Sequence, residues 1–228
     1  MVLNPSGVNH SAPAPDRLQQ TLWLIVAIWL TGLLGHFTPL KEWMALGMYV
    51  LGSLALTLGR GQQFHEWQAL FVTRKGLRST LLLGSAIGIA IALLSLVNIT
   101  QMRSAAPSEM QMQAMTNLLV GYTWIWLLPL LPLLIVAEEF LWRGLLLSSL
   151  VERKVNPALA IGMTTLCFML NHLAVAPVGM LERIMMALMG LPLGVINGWL
   201  TLKTQNLWGG VLLHLIAMGA MVIGMVII

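Results

Sequence analysis

Five residues in the C-terminal half of this chain have the types and the spacing needed to activate water in an apolar setting. Glu138, Glu139 and Arg143 lie in the stretch AEEFLWRGLL (137 to 146), His172 lies in FMLNHL, and His214 lies in LWGGVLLHLIAM. Carboxylates can act as bases toward water, imidazoles can position that water or stabilise an oxyanion, and a guanidinium can hold the geometry. Glu139 and Arg143 are four residues apart, one helical turn, and can pair directly. Glu138 is rotated by about 100° from Glu139 and lacks that partner. One carboxylate is therefore neutralised locally while its neighbour is left for chemistry. A buried structural ion pair beside a protonated glutamate is the alternative for the helix taken alone, and hydrogen-bonded core residues are the alternative for each histidine.

The setting makes these charges costly. Of the 228 residues, 58% are apolar and only 9% are charged, and the mean hydropathy is +0.85, far outside the range of soluble domains. Burying Glu138, Glu139 and Arg143 at the centre of a membrane helix asks for roughly 7 to 10 kcal/mol, at about 2.5 to 3.5 each. The Leu, Ile, Val and Phe of residues 125 to 150 return about 0.5 kcal/mol apiece. The two sums nearly cancel, so these charges should face the bundle interior or a wet cavity rather than lipid.

The elements that must position them are apolar runs long enough to cross a bilayer. Seven are predicted: 21 to 37, 42 to 58, 77 to 98, 122 to 150, 156 to 174, 184 to 202 and 206 to 228. The expected fold class is all-α, a polytopic membrane helix bundle of about seven transmembrane helices. One or two interfacial helices are added, at FHEWQALFVTRKGL (64 to 77) and in the polar, Met-rich segment 101 to 117. Residues 1 to 20 read as a disordered tail and 21 to 228 as a single transmembrane domain. Pro129 and Pro132 are expected to kink the glutamate helix.

Loop charges suggest an orientation. Arg17, Arg60, Arg74, Lys75, Arg78, Arg153, Lys154 and Lys203 fall on one side, and Lys41, Arg103 and Arg183 on the other. Eight against three predicts a cytoplasmic N-terminus, in an integral protein of a prokaryotic inner membrane or another internal membrane. The same distribution explains the net charge of +4 without nucleic acid as a partner. The single Cys167 allows no intramolecular disulfide and reads as core filling.

Several hydrolytic chemistries are excluded by inspection. Asp16 is the sole aspartate, so a membrane aspartate pair is impossible. No GxSG serine motif is present, and HEWQA at His65 to Ala69 lacks the second histidine of a helical HExxH zinc site.

The ordered set EExxxR (Glu138, Glu139, Arg143), FxxxH (Phe168, His172) and a final-helix His214 preceded by GWLTLKTQNLWGG resembles the CAAX protease and bacteriocin-processing (CPBP, or Abi) family of intramembrane endopeptidases. The likeness covers about residues 122 to 218. It implies hydrolysis of a peptide bond of a membrane protein or peptide, with Glu138 as base for the attacking water. Glu139 and Arg143 would support it, and His172 and His214 would serve the water and the oxyanion. The resemblance leaves the metal open, since the family has been labelled metal-dependent and a glutamate mechanism without metal is the competing view. Glu138, His172 and His214 could hold a zinc ion with a fourth position open, but nothing in this sequence requires one, so no cofactor is favoured.

The sequence departs from the family at Met218, where an Asn or Asp commonly lies one turn after the last histidine. Losing one oxyanion donor costs about 10²- to 10³-fold in rate, unless Asn171 or Asn197 replaces it. A noncatalytic relative that scaffolds or assembles another membrane protein is therefore the alternative expectation.

Overall fold

The computed structural model describes residues 16–39, 42–104, 109 and 127–227. Of the tail expected over 1 to 20, Arg17 onward already belongs to the first helix, and residues 101 to 104 of the Met-rich segment 101 to 117 end the third; residues 1 to 15 of the tail and most of that segment lie outside the described residues. Within them the chain is all-helical: α1 (Arg17–Gly35), α2 (Trp43–Phe64), α3 (Leu77–Ser104), α4 (Leu127–Glu139), a π-helical stretch (Phe140–Leu147) continuing into α5 (Ser148–Glu152), α6 (Pro157–Val175), α7 (Met180–Thr204) and α8 (Trp208–Ile227). Since α4, the π stretch and α5 run on as one rod, these are the seven rods expected, in a polytopic membrane bundle. Helices α1, α2, α3, α6 and α7 are each long and apolar enough to cross a bilayer.

Each rod shows one face to the bundle. In α1 the buried positions Arg17, Thr21, Ile25, Ile28, Gly32 and Gly35 recur every three or four residues, while Trp23, Leu30 and Leu34 are exposed. Exposed leucines and tryptophans suit a lipid-facing surface, and the buried stripe is the helical repeat expected of a packed face. Helix α2 repeats the pattern through Ala45, Tyr49, Ser53, Thr57 and Arg60. Asp16 caps α1 by accepting from the Leu18 amide at 3.0 Å, and Asn156 caps α6 by accepting from the Ala158 amide at 2.9 Å.

Glycines set the close approaches. A Cβ on Gly84 of α3 would stand 2.2 Å from the Gly209 carbonyl oxygen of α8, so the two backbones touch. On α7, Gly190, Gly194 and Gly198 meet Phe168, Thr165 and Ile161 of α6, a small-residue stripe that lets this hairpin pack closely. The π stretch lies at the centre, against α1, α2, α6 and α7, with every residue from Phe140 to Leu147 buried.

The segment after α2 differs from the expected surface helix. Residues 65 to 76 form turns, with His65 and Phe71 in the left-handed region at φ 55° and 58°. Leu70 and Phe71 are buried, and the Phe71 carbonyl accepts from the Leu207 amide at 3.1 Å. The segment folds inward because its apolar residues find the π stretch and the start of α8. Pro132 does lie inside α4, and α3 extends beyond its predicted end at residue 98 to Ser104.

Two ionic clusters mark opposite ends of the bundle. Arg17 donates to Glu66 at 3.2 Å, to Glu152 at 2.6 Å and to Ser149 at 3.0 Å, and Arg60 also pairs with Glu66. This joins the start of α1, the end of α2 and the end of the glutamate rod. At the other end Arg183 pairs with Glu42, beside His36.

Candidate active site

Glu138 and Glu139 end α4 where the helix widens into the π stretch. Such π segments occur frequently at functional sites, and this one carries Trp142 and Arg143 into the bundle centre. Glu139 is fully buried. Its Oε1 accepts from Arg143 Nη1 at 3.2 Å, from Asn197 Nδ2 at 2.9 Å and pairs with His214 Nδ1 at 3.1 Å. Arg143 also donates to the Leu193 and Gly194 carbonyls of α7 at 3.4 and 3.3 Å, and its guanidinium lies 5.2 Å over the Phe168 ring.

These bonds orient His214. A carboxylate can only accept, so the imidazole directs its Nδ1 proton at Glu139. The opposite nitrogen, Nε2, then points toward Glu138 Oε2 at 3.8 Å. That separation is too long for a direct hydrogen bond, and it suits an ion pair or a bridging water.

Phe168 is the hub between the histidines. Its ring lies edge-on to His172 with centroids 4.7 Å apart and edge-on to His214 at 6.1 Å, and 6.2 Å from Trp142. His172 Nδ1 lies 2.9 Å from the Phe168 carbonyl, which must accept, so Nδ1 carries the proton and a neutral ring presents Nε2 as an acceptor. The structure thus brings Glu138, Glu139, Arg143, Phe168, His172, Asn197 and His214 together. Asn171 is turned toward α1, where its Oδ1 accepts from Trp29 Nε1 at 3.1 Å. Met218, one turn beyond His214, packs against the apolar cluster of Phe71, Ile135, Phe140, Leu207 and Val211.

Asn197 does not serve as a replacement oxyanion donor, because its amide is committed to Glu139 and to the Gly210 carbonyl at 3.3 Å. Among the described residues, no group of three His, Cys, Asp or Glu side chains, the set Glu138, His172 and His214 included, has a spacing that would hold a metal ion.

Depths counted from the predicted span ends place Glu139 about 18 Å, His172 about 24 Å and His214 about 13 Å from one membrane face, at about 1.5 Å per residue. The structure nevertheless brings Glu139 and His214 to 3.1 Å, with the start of α8 covered by the protein. Asn206 and Leu207, just before it, are both fully buried. Asn206 Nδ2 is held by the Thr73 and Lys75 carbonyls at 2.8 and 3.0 Å.

Sequence reasoning passed over Tyr49 and Trp142, which pair where α2 meets the glutamate rod: the Tyr49 hydroxyl accepts from Trp142 Nε1 at 2.6 Å. The available signal was the four-residue repeat of Ala45, Tyr49, Ser53 and Thr57 in an otherwise apolar span.

Comparison with curated proteins and with solved structures gives no significant match. Residues 120–219, somewhat under half of the chain but including every one of the motif residues, match the family model of the Rce1-like type II CAAX prenyl endopeptidases, the CAAX protease family to which the motifs pointed.

Proposed function

We propose that this protein is an intramembrane endopeptidase in which Glu138 activates water for attack on a peptide bond. The observation that carries the reading is the Glu139–His214–Glu138 series, with 3.1 Å between Glu139 and His214 Nδ1 and 3.8 Å between His214 Nε2 and Glu138. A water bridging Glu138 and His214 Nε2 passes a proton to the carboxylate as its oxygen bonds to the carbonyl carbon. The carbon–nitrogen bond then breaks, and the proton held by Glu138 moves to the leaving amine. Hydrogen-bonded to Glu139 through Nδ1, His214 can carry a second proton on Nε2 and donate it toward the developing oxyanion. His172, whose neutral Nε2 accepts, orients the water. Arg143 and Asn197 hold Glu139, and no step requires a metal.

The substrate class that fits is a membrane protein or peptide reaching the site from the bilayer, and the matched family makes a prenylated CAAX peptide the first probe. The end bearing Arg17, Arg60 and Arg153 belongs in the cytoplasm under this proposal, since the charge excess lies there. Met218 favours a second reading, a noncatalytic scaffold, because an apolar side chain occupies the position one turn after His214.

One comparison separates the two. Membranes from cells expressing the full chain or its Glu138→Gln variant at equal abundance are compared for newly generated peptide N-termini. Glu138→Gln keeps shape and removes the base, so peptidase-dependent termini should fall by at least about 10²-fold. Identical termini from both proteins would refute the endopeptidase and leave the scaffold.

A further inference from the structure

Helix α1 lies outside the family-matched segment 120–219, yet one of its faces grips the turn of α6 that carries His172. Trp29, Gly32 and His36 follow one another at spacings of three and four residues, so they share a face, and each meets the end of α6 differently. Trp29 Nε1 donates to Asn171 Oδ1 at 3.1 Å, and Asn171 is 3% exposed. A Cβ on Gly32 would stand 2.1 Å from the Ala174 carbonyl oxygen, so backbone lies against backbone there. His36 reaches α6 through Arg183, whose Nη1 is 3.0 Å from His36 Nε2 and donates to the Leu173 carbonyl at 2.9 Å. A guanidinium can only donate, so His36 Nε2 accepts and its Nδ1 proton is directed at Glu42.

The positions held are 171, 173 and 174, on both sides of His172. The bond from His172 Nδ1 to the Phe168 carbonyl sets the ring relative to α6, but it does not set α6 relative to the glutamates. A turn gripped at three points resists rotation about its axis. At the outer radius of a helix, roughly 5 to 6 Å, a rotation of about 10° moves a group by about 1 Å, and a misplacement of that size costs on the order of 10²-fold in rate. We infer that Trp29 is a positioning residue for His172: with Gly32 and the His36–Arg183 bridge, its hydrogen bond to Asn171 fixes the rotation of the last turn of α6, and so the place where His172 Nε2 meets the attacking water.

This inference rests on the endopeptidase reading, and its test separates the two. The full chain, carrying isotope-labelled histidine, is reconstituted in liposomes, and the ring-nitrogen NMR signals lost in His172→Gln are those of His172. They are compared between wild type and Trp29→Phe, which keeps an aromatic ring and removes the N–H. Rates are measured in parallel on an internally quenched farnesylated CAAX peptide. Trp29→Phe should shift the His172 signals and lower kcat by about 10- to 100-fold, with KM changed less than about twofold. The control is Trp23→Phe, the same change at a residue of α1 that is 66% exposed, and it should leave both quantities as in wild type.

Unmoved His172 signals, an unchanged kcat, or an equal response to Trp23→Phe would overturn the inference. A contact that only stabilised the fold would lower the yield of folded protein and leave the signals and kcat of that protein unchanged. Shifted signals with no cleavage of the peptide by wild type, and no peptidase-dependent termini in membranes, would overturn the endopeptidase and uphold the grip of α1 on His172. Should Trp29→Phe fold poorly, Gly32→Ala poses the same question by steric means. Its methyl must push the Ala174 carbonyl away, so His172 signals identical to wild type would overturn the inference.

Discussion

Arg143→Ala gives the sharpest test of how the buried charges are held. Arg143 is 2% exposed and Glu139 fully buried, and the substitution removes one cation from a site where the carboxylate stays. The ion pair at 3.2 Å is broken on one side only, which costs about 3 to 5 kcal/mol when the remaining charge is buried. Loss of the guanidinium over Phe168 at 5.2 Å adds about 1 kcal/mol. The Leu193 and Gly194 carbonyls lose an additional donor but lie within α7, so little is added there. His214 Nδ1 and Asn197 Nδ2 remain on Glu139 and offset part of the loss, giving an expected destabilisation of about 4 kcal/mol. Reversible unfolding in mixed micelles, or steric trapping in bicelles, measures it. The paired control is Glu139→Gln with Arg143→Met, which removes both charges and should recover more than half of the loss. A cost below about 1 kcal/mol for Arg143→Ala, or a double variant less stable than the single, would refute the argument that charge pairing holds this site.

Gly84→Leu should destabilise the protein by at least about 2 kcal/mol, because its Cβ would meet the Gly209 backbone, while Gly162→Leu, with nothing within 4 Å of that Cβ, should be nearly neutral in the same unfolding assay. Equal effects would deny that α3 and α8 touch through their backbones. At the opposite end from Arg17, burial pushes the Glu42 carboxyl up, and the hydrogen bond and charge of Arg183 with the nearby His36 bring it down further, leaving it below the ordinary glutamate range. A carboxyl lowered in the folded state contributes stability that is complete above its unfolded value and is lost as pH falls through the folded one. Thermal unfolding from pH 7 to 3 should therefore show an acid-dependent loss that Glu42→Gln lacks, with Glu42→Gln itself costing about 1 to 3 kcal/mol at pH 7. The same acid slope in both proteins would refute the assignment.

The spans were legible because apolar length and helical stripes act along one segment at a time: α6 and α7 need only their own residues to declare themselves. The Glu139–Arg143 pair was legible for the same reason, since a four-residue spacing closes within one turn. The segment 65 to 76 was misread as a surface helix, because the acceptors for its buried apolar residues, the π stretch and Leu207, lie far along the chain. The widening at Phe140–Leu147 has no periodic signature of its own. Tyr49 was passed over because it is one polar group in a lipid-compatible helix, and only the packing of α2 on the glutamate rod supplies Trp142 as a neighbour.

Asn197 shows why the site could be gathered from motifs yet its internal bonding could not. In the sequence it is a polar residue on a distant helix, available to any partner its depth allows. What commits it to Glu139 is the absence of a side chain at Gly210, one turn before His214: a Cβ there would stand 3.3 Å from the Asn197 side-chain carbon and 3.4 Å from Glu139 Oε2. Contacts that close require the neighbours to yield, and these neighbours are the amide and carboxylate whose alignment directs His214. The second glycine of LWGGVLLH thus makes room for the hydrogen bond that fixes the imidazole one turn later, a dependence between α4, α7 and α8 that spacing along any one helix could not reveal.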